Sequence, residues 1–398
     1  MPQRGPVRLK EEIRRAALDL GFAQVGFAPA ERPPYAAAYL EWLERGWHGE
    51  MAYMAREDAV RRRLSPPDAL EGCRTLIVVS LQYGPDGAGP AEINPETLPA
   101  TDDFNASADS NASADSDAPA VLARYARGRD YHDVFEERLA HLAESIATLA
   151  PDALFKPYVD YGPVLEREHA QRAGLGWIGK NTMLIHPRRG SYLLLGELLT
   201  TLELPPDDPF AADHCGTCER CIEACPTDAI KGSRRLDARL CISYLTIELK
   251  GAIPVELRAP IGNRVFGCDI CQEVCPWNSD PSAAPERARL ETVVPLPPVD
   301  SALAHSALAL EPGRPAPPET MVVWAYELAA LTDLEFKERY RGTAFARPGR
   351  DGMLRNLAVG LGNAGGAGAR AILARLAGDD SALVREHAEW GLERLSES

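Results

Sequence analysis

The 398-residue sequence predicts an α+β body, a cysteine-rich unit of ferredoxin type and a small all-helical C-terminus. Three observations carry this. Eight of the nine cysteines fall between Cys215 and Cys275. Before them, amphipathic helical patterns alternate with short apolar runs. Beyond residue 353 the pattern is helical alone. A chain of this length can hold two or three domains. We divide it into residues 1–205, 206–285 and 286–398, with a HEAT-like repeat over about 350–398.

In order, residues 7–20 carry apolar side chains at helical spacing, with Gly21 as C-cap. Residues 23–28 read as a strand and 35–47 as a second helix. A third, 57–64, contains Arg61, Arg62 and Arg63 and is stopped by Ser65-Pro66-Pro67. The β-rich run 74–83 predicts a central strand. Residues 84–120 are low-complexity, with a tandem Asn-Ala-Ser-Ala-Asp-Ser repeat, and cannot bury enough apolar area to offset their ordering entropy. We read them as an insertion. The fold resumes at residue 122. A strong helix follows at 131–149, with Val134, Leu139, Leu142, Ile146 and Leu149 on one face. Then come a strand at 155–160, a helix at 164–173, and strands at 182–186 and 191–199 expected to pair with each other. Residues 205–209 form a proline-rich stiff linker. Proline recurs to about residue 298, and helices are expected at 354–362, 369–376 and 380–392.

The cysteines have a spacing with a chemical reason. Cys215, Cys218, Cys221 and Cys225-Pro226 follow C-x2-C-x2-C-x3-C-P, and Cys268, Cys271 and Cys275-Pro276 repeat it without the first cysteine. In this signature the fourth cysteine ligates the other cluster. Cys215, Cys218, Cys221 and Cys275 are therefore assigned to one [4Fe-4S] cluster. Cys225, Cys241, Cys268 and Cys271 are assigned to the other, with Cys241 as the missing ligand. A zinc site needs only four ligands and does not explain eight. Cys73 is left as a small buried apolar residue.

Residues 1–21 lack the apolar segment of an export signal, and the longest apolar stretches, 76–81 and 192–199, are too short to span a membrane. We expect a cytoplasmic monomer, in the reducing compartment where thiols persist. The formal charge of −15 argues against a general nucleic-acid binder. However, residues 84–120 hold eight Asp and Glu and no Lys or Arg, so more than half of that charge sits in one segment.

Gly174-Leu-Gly176-Trp-Ile-Gly179-Lys180-Asn181 matches G-x-G-x-x-G and nearly a Walker A loop. Both need a strand before and a helix after. Here the order is reversed, so we read a tight helix-to-strand connection. Asp160 ends a strand before a Gly-Pro turn. Desolvation there would raise its pKa and suit it to act as an acid; capping of the next helix is the commoner role for such an aspartate. His132 lies in Asp130-Tyr131-His132-Asp133, where Phe135 replaces the glycine of the D-x-H-x-x-G cobalamin motif. We therefore place His132 at a helix start lining a site or the core.

Together, residues 159–167, 173–181, Gly190-Ser191, Gly196-Glu197, the cysteine pattern, 241–248 and 261–264 resemble the epoxyqueuosine reductases over nearly the whole chain. Residues 84–120 depart from the compact family pattern. The resemblance implies a nitroreductase-like cobalamin-binding domain, a two-cluster ferredoxin-like domain and a HEAT-like C-terminal domain. It implies reduction of epoxyqueuosine to queuosine at the wobble position of tRNA, with base-off cobalamin and electrons from an external donor. Asp160 matches the family's proton donor, which overrides the capping role. Positions lining the corrin fall on Arg63, Ala123, Asp160, Asn181, Leu184, Asp269 and Ile270.

The required substrate directs attention to basic residues. Lys337, Arg339, Arg341, Arg347, Arg350 and Arg355 cluster in one stretch, and Arg258 and Arg264 follow the cluster region. We expect Arg258, Arg264, Arg347, Arg350 and Arg355 to meet tRNA phosphates. A cobalamin-dependent reductive dehalogenase and a corrin-free electron-transfer module are the rival readings.

Overall fold

The computed structural model describes residues 5–83, 119–279, 320–366 and 368–397. Most of the expected insertion, the boundary at 285 and the proline-rich stretch after it lie outside the described residues.

Helix α1 (Pro6–Asp19) leads into strand β1 (Gln24–Pro29), helix α2 (Ala36–Glu44) and helix α3 (Glu57–Leu64). Strand β2 (Thr75–Gln82) is central as expected: the sheet order is β1-β2-β7-β4, every pair antiparallel, with β4 at Phe155–Val159 and β7 at Leu193–Thr200. Successive side chains of a strand point to opposite faces. Ile77, Val79 and Leu81 accordingly pack under α1 and helix α4 (Tyr131–Leu149), while Leu76 and Val78 pack on the side of helix α5 (Glu166–Arg172). Burial on both faces is why β2 reads as an unbroken apolar run. Gly196 of β7 lets the ring of Phe135 close on the sheet, since a Cβ there would lie 2.5 Å from it.

The expected pairing of 182–186 with 191–199 is corrected. The short strand β6 (Leu184–Ile185) pairs with β5 (Trp177–Ile178), and β7 instead fills the gap between β2 and β4. Gly176 is the reason the first turn is so tight: a Cβ there would meet the Ile185 carbonyl oxygen at 2.3 Å. The connection is helix to strand, as read from the sequence. The 205–209 segment is no free spacer. Asp207 is bound by Lys10 at 2.6 Å, by Arg14 at 2.9 Å and by the backbone N–H of Phe27 at 2.9 Å.

In the cysteine-rich unit, hairpin β8–β9 (Ile230–Gly232, Arg235–Leu236) precedes helix α6 (Ile242–Ile247) and helix α7 (Val255–Ile261). Strand β10 (Arg264–Phe266) then pairs in parallel with β3 (Val121–Leu122), tying this unit to the α+β body. The C-terminal unit comprises α8 (Met321–Ala329), α9 (Asp333–Arg339), α10 (Gly349–Ala364), α11 (Ala369–Leu376) and α12 (Ala382–Glu397). Leu354, Leu357 and Leu361 of α10 share one core with Val265 and Phe266 of β10. The helical unit therefore sits against the cysteine-rich unit rather than apart from it.

Candidate active site

The eight cysteines fall into two quartets. Cys215, Cys218, Cys221 and Cys275 line one cavity, and Cys225, Cys241, Cys268 and Cys271 line another. The chain achieves this around two helical turns, Arg220–Glu223 and Ile270–Glu273, each carrying one thiol, Cys221 or Cys271, with two residues between it and the preceding cysteine and three between it and the following one. Burial, and then the neighbouring sulfurs, push the thiols of Cys221 and Cys275 up to about 11 and 12 and that of Cys268 up to about 12. Bare thiolates are thus disfavoured here, and a bound cation such as iron would be the counter-charge that makes such a group stable. Among the described residues no three His, Cys, Asp or Glu side chains converge as a single metal ion requires. A cluster differs in that each thiolate binds its own iron.

The second quartet opens onto a cavity with about 1420 Å³ of atom-free space, open solvent included, between the cysteine-rich unit and the α+β body. Its other walls are Tyr83, Tyr125, Tyr131, Asn181, Leu184, Leu193, Leu195, Asp269 and Ile270. A second cavity runs past Tyr39, Met54 and Arg63, and a third past Tyr53, His132, Glu248 and Arg347. Asp160 lines all three.

Asp160 does not cap the next helix, whose N-cap is Leu165. Tyr131 donates its hydroxyl hydrogen to Asp160 Oδ2, and His132 Nε2 lies 2.7 Å from Oδ1. The other imidazole nitrogen, Nδ1, is 2.6 Å from Asp130 Oδ1. Asp130 is also the N-cap of α4, accepting from the His132 backbone N–H, so the helix start aims the ring. Although 45% of the Asp160 side chain is accessible, it lies on the floor of a cleft with protein on nearly every side.

Here the expectation of a raised aspartate pKa is corrected. Burial does push the Asp160 carboxyl up, but the hydrogen bond and charge of His132, the Tyr131 hydroxyl and the charge of Arg347 outweigh it and hold it below the ordinary carboxylate range. Burial pushes His132 down, but its bonds to Asp130 and Asp160 outweigh that and raise it to about 9. At neutral pH the proton therefore rests on His132, between two carboxylates. The sequence placed His132 at a helix start lining a site, as found, but did not pair it with Asp160. The two aspartates flanking it, one in sequence and one in space, were the signal.

The remaining expected site residues divide. Arg63 is buried, with its Nη2 donating to the Gly162 carbonyl, while Nε and Nη1 have no hydrogen-bond partner among the described residues. Asn181 ties its loop to the cluster region through the Cys271 carbonyl at 3.0 Å. Asp269 accepts from the Arg124 backbone N–H at 2.7 Å. Ala123 is absent from the walls of these cavities: the β3–β10 pairing buries it, with its N–H bonded to Phe266 O.

Residues 214–278 match the family described as a 4Fe-4S double cluster binding domain, and residues 63–161 match the family described as Epoxyqueuosine reductase QueG, DUF1730. An epoxyqueuosine reductase of Pseudomonas aeruginosa is 41% identical over 99% of this chain and 96% of its own. That of Burkholderia pseudomallei is 42% identical over 96% and 91%. The chain belongs to the epoxyqueuosine reductases. Among solved structures, the epoxyqueuosine reductase of Streptococcus thermophilus superposes with a TM-score of 0.75 at 28% identity, covering 98% of this chain and 91% of that one. One with an epoxyqueuosine-modified tRNA-Tyr stem loop gives 0.74 at 28%, covering 98% and 90%. As a member of this family the protein is an oxidoreductase. Among the described residues no helix is long and apolar enough to cross a membrane.

For an enzyme of this family the arginines expected to meet tRNA need correction. Arg355 is fully buried and donates to the carbonyls of Leu245, Leu249 and Gly251. Arg258 is buried between the Ile253 carbonyl and Glu386. Neither is free to meet a phosphate; both fasten the C-terminal unit. Arg350 is engaged by Asp379 at 2.8 Å and by Asp351. Arg264 is half-buried and lies beside the Ile261 carbonyl. Arg347 alone of the five reaches the cleft.

Proposed function

We propose that this chain reduces the epoxide of epoxyqueuosine in tRNA to the alkene of queuosine, using cobalamin in the central cleft and electrons relayed through two [4Fe-4S] clusters. The observation that carries the reading is the position of Asp160: three cavities converge on it, one walled by a cysteine quartet and one opening past Arg347. The residues present suit cobalamin. Leu184, Leu193, Leu195 and the tyrosines offer apolar walls, and the unpartnered Arg63 nitrogens offer donors for its peripheral amides. His132 is the one histidine on these walls, and both its nitrogens are taken by aspartates, which agrees with a base-off cofactor without a protein ligand on cobalt. Bound there, cobalamin would supply the two-electron nucleophilic reductant that single-electron clusters cannot.

The chain's own residues handle the proton. Opening the epoxide leaves an alkoxide, and its oxygen must take up two protons in all to leave as water. Asp160, ionised at rest, takes the His132 proton at Oδ1 and passes that same proton on to the substrate oxygen, while Tyr131 holds the carboxylate in place at Oδ2. Asp130 stabilises the protonated imidazole, which keeps the reservoir filled at neutral pH. The cysteine quartet beside Asp269 and Ile270 would hold a cluster that supplies electrons at the wall of the cleft. The other quartet, farther from the cleft, is where an external donor would deliver electrons.

The test is a corrin spectrum after reconstitution with cobalamin, followed by conversion of epoxyqueuosine tRNA with a strong chemical reductant. Both should be positive. A chain that binds no corrin would instead be an electron-transfer module, and turnover of haloorganics without tRNA would make it a dehalogenase.

A further inference from the structure

The mouth of the cleft holds an ion pair that carries no proton in the chemistry above. Glu248, just after α6, meets Arg347 of the C-terminal unit with 2.6 Å between Oε1 and Nε. Tyr53, from the α+β body, feels both: burial and then Glu248 push its phenol up, while Arg347 pulls it down. All three line the cavity that also contains Asp160 and His132. One residue from each unit of the chain thus meets at the opening.

A staple between units is the plain reading, and the packing makes it redundant. Arg355 already binds three backbone carbonyls across this interface. Asn356 donates to Thr246 O and Val265 O, Asn363 donates to Arg258 O and Gly262 O, and His387 Nε2 accepts from the Ile253 N–H. A pair with 20% and 41% accessible side chains adds little to such a joint.

What the pair does offer is a matched set of acceptors and donors. A carboxylate accepts two N–H bonds and a guanidinium donates from a planar fork. The Watson–Crick edge of a guanine-type base presents the complement, with N1–H and the 2-amino group as donors beside O6 as acceptor. Enzymes that modify a base take it out of the stack, read that edge and stack its faces. Tyr53, Tyr125 and Tyr161 give the same cavity aromatic surface. We infer that Glu248 and Arg347 read the Watson–Crick edge of the guanine-type base that carries the epoxide, Glu248 accepting from N1–H and the 2-amino group and Arg347 donating to O6, so that the base's substituent points toward Asp160. This rests on the tRNA reading above. It gives the C-terminal unit a part in choosing the base.

Anticodon stem-loops with guanine or hypoxanthine at the wobble position differ by the 2-amino group alone. Their binding to the cofactor-loaded protein is read by fluorescence anisotropy. Wild type should prefer guanine about tenfold, the worth of one charge-assisted hydrogen bond. Glu248→Ala should bring the two Kd values together without changing the melting temperature by more than a few degrees, and Arg347→Gln should weaken both stem-loops. Equal affinities in wild type, or a guanine preference that survives Glu248→Ala, overturn the inference. A loss in Arg347→Gln that tracks salt and ignores the base, with preference intact in Glu248→Ala, assigns Arg347 to a phosphate and overturns it as well. Absence of any salt-dependent stem-loop binding by wild type removes the tRNA reading itself, a result distinct from these.

Discussion

The cysteine quartets and the Asp160 cleft are both built by convergence, yet they are written differently in the chain. The first quartet draws three thiols from residues 215–221 and the second draws two from 268–271, so the local spacing already states which of those sulfurs can share a cluster. The cleft joins Asp130 and His132 at the start of α4 to Asp160 at the end of β4, residues 28 apart that meet only because both elements pack on one sheet. Local spacing fixes a ligand set; tertiary packing fixes a proton. The first is robust to context, whereas the second changes character with each neighbour, as the low pKa of Asp160 and the high one of His132 show.

The largest expected effect lies on the packing side of this contrast. Asp160→Asn keeps shape and hydrogen bonding but cannot pass a proton, so single-turnover conversion should fall at least about a hundredfold with iron content and corrin spectrum unchanged. Loss of the corrin in that variant would make Asp160 a pocket wall instead. On the spacing side, Cys241→Ala should lower iron from about eight to about four per chain, since one quartet loses a ligand and the other is intact. Full iron content in that variant would break the assignment of Cys241, the ligand inferred without a motif of its own.

The same contrast explains what was legible in the sequence. The apolar run of β2 and the 3.6-residue pattern of α4 announced their elements because burial is periodic there. The pairing of 182–186 with 191–199 failed because nearness in sequence says nothing of the slot between β2 and β4 that β7 fills. Arg258 and Arg355 failed for a related reason. A count of positive residues from 337 to 355 cannot distinguish Arg347, in the cleft, from Arg355, which is spent on three buried carbonyls. Arg355→Ala should cost about 3 kcal/mol of stability, from carbonyls left unpaired in the interior, without altering the salt dependence of tRNA binding. Thermal melts beside a salt titration check both halves; a flatter salt slope at unchanged stability would return Arg355 to the tRNA surface.

The smallest expected shift is also the most direct test of the proton account. His132 is held up to about 9 by Asp130 and Asp160. Turnover that draws on its proton should be full below that pH and fall as pH rises through about 9. Asp130→Asn retains an N-cap for α4 but removes one of the two charges raising the imidazole. The measurement is the single-turnover rate of epoxide reduction against pH in wild type and Asp130→Asn, with the same reductant throughout. The account predicts an alkaline limb near pH 9 in wild type that moves down by about one unit in the variant. Superimposable profiles, or a wild-type rate that rises through pH 9, would contradict it.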